Sequence, residues 1–221
     1  PLYAEVQDDM VALQNVVKRL TMTLAYLTFP LLFAFILIAK PLFVFLYTDK
    51  WLPAVPYFQV LCLAGLGDCL QSVNFQTISA IGKSKITFKW TMIKRFMGMG
   101  LIVGGLALWG MKGILLGAVL NSWFAYFVNM GLVSKHVGYK WWRQLFDLCP
   151  ILVTSIIAAM ASYICGMVLH LNMYPDGLVK LILFVSIYLG WSLLFKPEAF
   201  TYFKTIVNPL LSRFKSSHNH N

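Results

Sequence analysis

The sequence predicts an all-α protein, a polytopic membrane helix bundle with six transmembrane helices. Three observations predict it. Hydrophobic residues make up 59% of the chain and charged residues 12%, about half the roughly 25% charged content of a soluble domain. A soluble chain of 221 residues could bury a large core, but it would still need a charged surface. Apolar stretches long enough to cross a bilayer, which takes roughly 20 residues as a helix, recur along the chain between short polar turns. The basic residues, finally, fall unevenly between alternate turns. The formal net charge of +10 is high for so few charges; in a chain this apolar it marks cytoplasmic loops, and no nucleic-acid partner is expected.

Taken in order, residues 1–20 (PLYAEVQDDMVALQNVVKRL) are amphipathic, with Met10, Leu13, Val17 and Leu20 on one face and Asp8 or Asp9 placed to cap a helix. They read as an interfacial helix feeding the first span. The membrane lobe follows over residues 21–196, its first span running from about Leu20 to Tyr47 with Pro30 inside. Proline removes a backbone hydrogen bond and kinks the helix, which neighbours in a bundle can compensate. Lys40 comes late in this span, before Pro41, and can snorkel to the nearby interface.

The second span, about 57–81, is the one around which the rest is organised. It carries Asp68, Gln71, Ser72, Gln76 and Ser79 at steps of three or four, one polar stripe on a helix. Polar side chains are costly in lipid, so this stripe faces either a water-filled cavity or another helix held by hydrogen bonds. The third span has a purely apolar part, Phe96–Trp109, too short to cross. It therefore begins near Thr87 and draws Lys94 and Arg95 into the membrane, in from its edge. Gly100 and Gly104 in span three, and Gly113 and Gly117 in span four, each form a small-xxx-small pair suited to close helix approach. The turn between these spans, Trp109–Gly113, is short enough for an antiparallel hairpin. Asn121, Ser122 and Asn129 add polar groups to span four.

A basic, aromatic loop (SKHVGYKWWRQ) suited to the headgroup layer comes next. Span five covers about 148–169, LNMYPDG is a turn, and span six covers about 178–195. The tail, residues 197–221, is amphipathic. Phe200, Phe203, Val207, Leu210 and Phe214 form an apolar face opposite Lys204, Arg213 and Lys215, the pattern of a helix lying on an anionic leaflet. Membrane lipids are thus expected partners. The final SSHNHN reads as disordered, and its two histidines do not by themselves make a metal site. Cys62, Cys69, Cys149 and Cys165 have no metal or redox spacing and read as small core residues. No cofactor is expected.

Six spans place both ends on one side. Lys40, Lys50, Lys112 and Lys180 fall toward one set of loops, and the other 14 of the 18 basic residues fall toward the other set and the ends. By the positive-inside rule the second side is cytoplasmic. The chain opens with Pro1 inside what looks like a loop, as a piece of a longer protein would.

Three segments carry a resemblance. PLYAEVQDD at 1–9 with its amphipathic entry helix, PLFVFLYTDKWLPAVPYFQVLCLAG at 41–65, and ISAIGKSK at 78–85 are spread over the first 85 residues. The chain resembles the C-terminal half of polysaccharide or O-antigen flippases of the Wzx type, in the multidrug/oligosaccharidyl-lipid/polysaccharide exporter superfamily. The later spans match in number and spacing rather than in motif. The resemblance implies one lobe of a two-lobe transporter in a bacterial inner membrane, with the other lobe in a missing N-terminal part of the same chain. It implies transport of an undecaprenyl-pyrophosphate-linked oligosaccharide from the cytoplasmic to the periplasmic leaflet by alternating access, without covalent chemistry. Under it, Lys94, Arg95 and Lys40 are candidate substrate-binding cations, and Asp68, Gln71, Ser72, Gln76 and Asn121 the candidate polar lining. Lys94 and Arg95 can equally snorkel to headgroups. A lone buried Asp68 would have a raised pKa and could exchange a proton, or it could be purely structural. Two alternatives stay open: a membrane-embedded glycosyl- or acyltransferase acting on lipid-linked sugars, and an ion-coupled drug exporter of the same superfamily. Against the transferase, the four histidines are scattered, and Asp68 has no second carboxylate at helical spacing.

Overall fold

The computed structural model describes residues 9–169, 171–195 and 198–202, and every regular element in it is helical. Residues 1–8, His170 and the tail from 203 onward, including Lys204, Arg213, Lys215, His218 and His220, lie outside the described residues. Five helices are long and apolar enough to cross a membrane. They are α1 (Met10–Tyr47), α2 (Val55–Ala80), α3 (Ser84–Val137), α4 (Trp141–Leu169) and α5 (Met173–Phe195).

Asp9 caps α1, its carboxylate accepting from the backbone N–H groups of Val11 (2.9 Å) and Ala12 (3.1 Å). The helix then runs for 38 residues through Pro30 and Pro41 without a break. That is about 57 Å at 1.5 Å per residue, well beyond the hydrocarbon thickness. The stretch 10–20 is therefore not a separate interfacial helix but the start of α1. The middle of its apolar face meets protein: Leu13 and Val17 are fully buried with Ile78, Val133, Val137 and Tyr139, while Met10 is exposed.

A 3₁₀ turn, Asp49–Ala54, leads into α2, with proline in the first turn, where its missing N–H costs nothing. Gly82, at φ +76°, makes the tight exit toward α3. The sequence predicts two spans where α3 stands, and the chain does reverse there. Gly110 leaves helical geometry at φ 58°, ψ −136°, a conformation open in practice only to glycine. The two arms, 84–109 and 111–137, then lie antiparallel. A Cβ built on Gly105 would stand 2.3 Å from the carbonyl oxygen of Gly113, and one on Gly117 would stand 2.6 Å from that of Leu101. The expected pairing through Gly100 and Gly104 is not what the structure shows. Both glycines face open space; the contact face of the first arm is Gly98, Leu101 and Gly105, turned away from it by the 100° step of the helix.

Two other boundaries shift. The expected basic loop shrinks to residues 138–140: Lys135 and His136 close α3, Gly138 sits at φ +80°, and Trp141–Gln144 open α4. Likewise, α5 begins inside LNMYPDG, with Asp176 in its first turn bound to Lys180 at 2.6 Å. Of the four cysteines, Cys62 is buried, Cys69 and Cys165 are half-buried, and Cys149 is exposed rather than in the core.

The main core gathers Tyr26 and Phe29 of α1, Leu66 and Leu70 of α2, Tyr126 of α3, and Phe184 and Tyr188 of α5. At the basic end a polar cluster ties the termini together. Gln144 joins Asn74 to the Tyr139 carbonyl (3.3 and 2.9 Å). The Tyr139 hydroxyl donates to Asp147, and burial, then this bond, push its pKa up. Lys18 reaches both Asp147 (3.4 Å) and Glu198 (2.7 Å). The short helical stretch 198–202 thereby folds onto α1, with Ala199 fully buried and Phe200 6.1 Å from the Tyr26 ring.

Candidate functional site: a polar cleft between the second helix and the α3 hairpin

The polar stripe of α2 faces the two arms of α3 across an open cleft of about 860 Å³. From α2 come Asp68, Gln71, Ser72, Phe75 and Gln76; from the first arm Thr91, Lys94, Arg95 and Gly98; from the second Asn121. The structure thus brings together seven of the eight residues singled out from the sequence. The eighth, Lys40, is exposed and lies apart. The side chain of Gln59 donates to the Ile36 carbonyl at 2.9 Å, and antiparallel packing from that point sets Lys40 beside the start of α2. Asp68 is some twelve residues further along, about 18 Å away. Ser79 is also outside the lining, donating to the Phe75 carbonyl at 3.0 Å.

A chain of hydrogen bonds crosses the cleft. Lys94 Nζ donates to Asn129 Oδ1 at 2.7 Å and stands 5.6 Å from the centre of the Phe75 ring. Asn129 Nδ2 donates to the Gln71 carbonyl at 3.3 Å. The Gln71 side chain donates to Asp68 Oδ1 at 2.7 Å. Ser122 Oγ lies 2.9 Å from that same oxygen and 2.6 Å from the Ala64 carbonyl. Asp68 is therefore not the lone buried carboxylate expected from the sequence. It is exposed to the cleft and held by neighbours on its own helix and on α3.

Among the described residues neither Lys94 nor Arg95 forms an ion pair. Lys94 is half-buried and Arg95 exposed. Thr91 Oγ1 and Asn121 Oδ1 are buried with no hydrogen-bond partner among the described residues. The glycine at 98 makes room for Asn121, whose Oδ1 would be 2.6 Å from an added Cβ. The cleft therefore offers two uncommitted positive charges beside several unfilled polar positions, in the middle of otherwise apolar helices. Such a surface suits an anion attached to a polar body.

Sequence reasoning missed Thr91 and Phe75, and it named Ser122 and Asn129 as polar groups of span four without assigning them to the site. Thr91 precedes Lys94, Arg95 and Gly98 at steps of three, four and seven, a helical face that could have been read. Asn129 follows Ser122 by seven, the same signal. Phe75 sits on the α2 stripe seven residues after Asp68 but is apolar, so nothing marked it before its ring was seen under Lys94.

Comparison with known proteins agrees with the resemblance. The model of a family described as "Polysaccharide biosynthesis protein" matches residues 1–56. The chain is 25% identical over 173 residues to lipopolysaccharide biosynthesis protein WzxC of Escherichia coli, covering 76% of this chain and 35% of that protein. It is 25% identical over 131 residues to an uncharacterized membrane protein in the cps region of Klebsiella pneumoniae, covering 58% and 27%. It is 27% identical over 90 residues to teichuronic acid biosynthesis protein TuaB of Bacillus subtilis, covering 41% and 19%. The chain thus spans about a third or less of the length of these relatives. No solved structure matches it. The resemblance first read from residues 1–85 holds: this is a multi-pass membrane chain similar to polysaccharide-biosynthesis proteins of the Wzx type over the part of their length that it covers.

Proposed function

We propose that the chain forms the second lobe of a flippase that carries an undecaprenyl-pyrophosphate-linked oligosaccharide from the cytoplasmic to the periplasmic leaflet. Counting the α3 hairpin as two crossings gives six spans with both ends cytoplasmic, in agreement with the 14-to-4 asymmetry of basic residues. The observation that carries the reading is the cleft, with Lys94 and Arg95 unpaired among the described residues and facing the polar stripe of α2. A pyrophosphate and a sugar chain cannot cross lipid unshielded. The Arg95 guanidinium can grip phosphate oxygens through two parallel bonds, and Lys94 adds a compact charge. Gln71, Gln76 and Asn121 offer amides to sugar hydroxyls, while the prenyl tail stays in lipid. A missing first lobe would close the open side, and rocking of the two lobes would expose the cleft to each leaflet in turn.

The test is substitution in the full-length protein, reading surface polysaccharide, the leaflet holding the lipid-linked oligosaccharide, and protein level in the membrane. Lys94→Gln and Arg95→Gln are expected to abolish export at normal protein level, with Arg95→Lys partly active. Glutamine at 94 keeps a polar side chain but ends one bond short of the lysine ammonium, so the protein level read alongside separates loss of the charge from loss of the fold. Normal export by both Gln variants would move the site elsewhere.

A further inference from the structure

A second groove, of about 490 Å³, opens between the two arms of α3 near their basic ends. It shares no lining residue with the cleft, and α2 contributes none. At 100° per residue, Ile86, Lys89 and Trp90 of the first arm fall on roughly the opposite face from Arg95, Gly98 and Ile102, which line the cleft. The groove therefore lies on the other side of the hairpin.

Its chemistry is graded along its length. Lys89 comes from the first arm, Lys135 and His136 from the second, and no acidic residue is among the described residues that line it. Lys83 Nζ lies 2.8 Å from His136 Nδ1. An ammonium can only donate, so Nδ1 accepts and the ring proton sits on Nε2, adding an N–H donor beside the lysines. Trp90 lines the same end, at the level where indole rings favour the membrane interface. Further from the basic end the walls are apolar, Phe127 and Val128, and an added Cβ at Gly131 would meet nothing within 4 Å. The groove faces of the two arms also carry apolar side chains turned outward: Ile93 is 39% exposed and Phe127 49%. In a membrane chain such residues meet acyl chains.

From this juxtaposition we propose that the groove binds one anionic phospholipid, its headgroup phosphate between Lys89, Lys135 and His136 and an acyl chain along Phe127 and Val128. Cations at one end, an interfacial indole beside them and apolar walls beyond match the two halves of such a lipid in order. A free anion would use only the first half. The site is independent of the transported substrate, because the cleft lies across the hairpin from it.

The test uses the full-length protein in mild detergent and native mass spectrometry, offering phosphatidylglycerol, phosphatidylcholine and inorganic phosphate separately. Phosphatidylglycerol should be retained about tenfold over phosphatidylcholine, and inorganic phosphate at equal concentration should not displace it. A lysine beside an anionic headgroup is worth roughly fivefold. Lys89→Gln with Lys135→Gln should therefore cut retention by about tenfold after allowing for screening. Lys112→Gln, at the far tip of the hairpin, should leave it unchanged. Equal retention of the two lipids, an unaffected double variant, or displacement by inorganic phosphate would each overturn the proposal. Should the double variant not accumulate, phosphatidylglycerol brominated on its acyl chain should quench the wild-type protein, with the quenchable fraction reduced in Trp90→Phe. An unreduced fraction would overturn it equally.

Discussion

The α3 hairpin holds both the cations and two of the amides of the cleft, and its packing makes a sharp prediction. A Cβ on Gly113 would stand 1.9 Å from the carbonyl oxygen of Gly105 and 2.4 Å from its carbonyl carbon. The reciprocal change at Gly105 meets Gly113 at 2.3 and 2.6 Å. These neighbours are backbone atoms and cannot rotate away, so the arms must part by at least about 1 Å to reach the 3.0 Å that real Cβ contacts respect. Overpacking of this kind costs about 1–3 kcal/mol, while alanine's better helix propensity returns roughly 0.5–1 kcal/mol. Gly113→Ala and Gly105→Ala are thus each expected to destabilise by about 1–2 kcal/mol. Gly100→Ala and Gly104→Ala meet nothing within 4 Å and should be neutral or stabilising by up to about 1 kcal/mol. Heating the detergent-solubilised full-length protein and following its monodisperse fraction separates the pairs: the first should lose several degrees, the second none. If Gly113→Ala is as stable as Gly104→Ala, the arms do not meet where the structure places them. If the Gly100 and Gly104 variants are the ones that suffer, the arms pack through the face the sequence first suggested.

Two further outcomes are expected. A cysteine placed at Lys83 or Lys140 should be protected from an impermeant thiol reagent added outside intact cells, and rapid labelling at either would contradict the proposed topology. Asp68→Asn keeps an oxygen for Ser122 and Gln71, so the protein should accumulate normally; if the carboxylate couples or gates transport, export should fall, and export equal to wild type would end that idea.

The helices were legible in the sequence because lipid leaves a chain few options: long apolar runs must become helices, and polar residues at steps of three or four must share a face. The α2 stripe and the Lys94–Arg95 pair were readable for that reason, and both line one cleft. Other features turned on which protein surface a face meets, which period alone does not encode. Leu13 and Val17 look interfacial by pattern, yet they are buried because Ile78, Val133 and Tyr139 come from far along the chain to cover them. Gly100 and Gly104 have the spacing of a packing motif, but the choice between that face and the one through Gly98 and Gly105 depends on the rotation set by the Gly110 reversal. Asp68 looked alone because its partner Ser122 is 54 residues away.

The way Lys94 is held bears on what it can do. Its ammonium rests on a neutral amide oxygen at 2.7 Å and beside an aromatic ring, while Asp68 is engaged by Ser122 and Gln71. A lysine locked to a carboxylate would have to give up that pair before taking a phosphate, and breaking a partly buried ion pair is costly. Releasing an amide oxygen costs about 1.5–3 kcal/mol, which a phosphate contact of comparable strength restores. The cation is thus positioned but not neutralised, as the proposed capture and release of a phosphate would require. Asn129→Asp tests this by installing a carboxylate where the amide oxygen stands, with little change in shape. The new ion pair is offset by loss of the Asn129 Nδ2 bond to the Gln71 carbonyl and by the burial of a carboxylate, so heat stability should change little, yet export should fall markedly because Lys94 is now occupied. Pairing the substitution with Lys94→Gln should leave the carboxylate unpaired and lower heat stability below that of Asn129→Asp alone, with export no lower than in Lys94→Gln alone. If Asn129→Asp accumulates normally and exports as well as wild type, the free charge of Lys94 is not what the cleft uses.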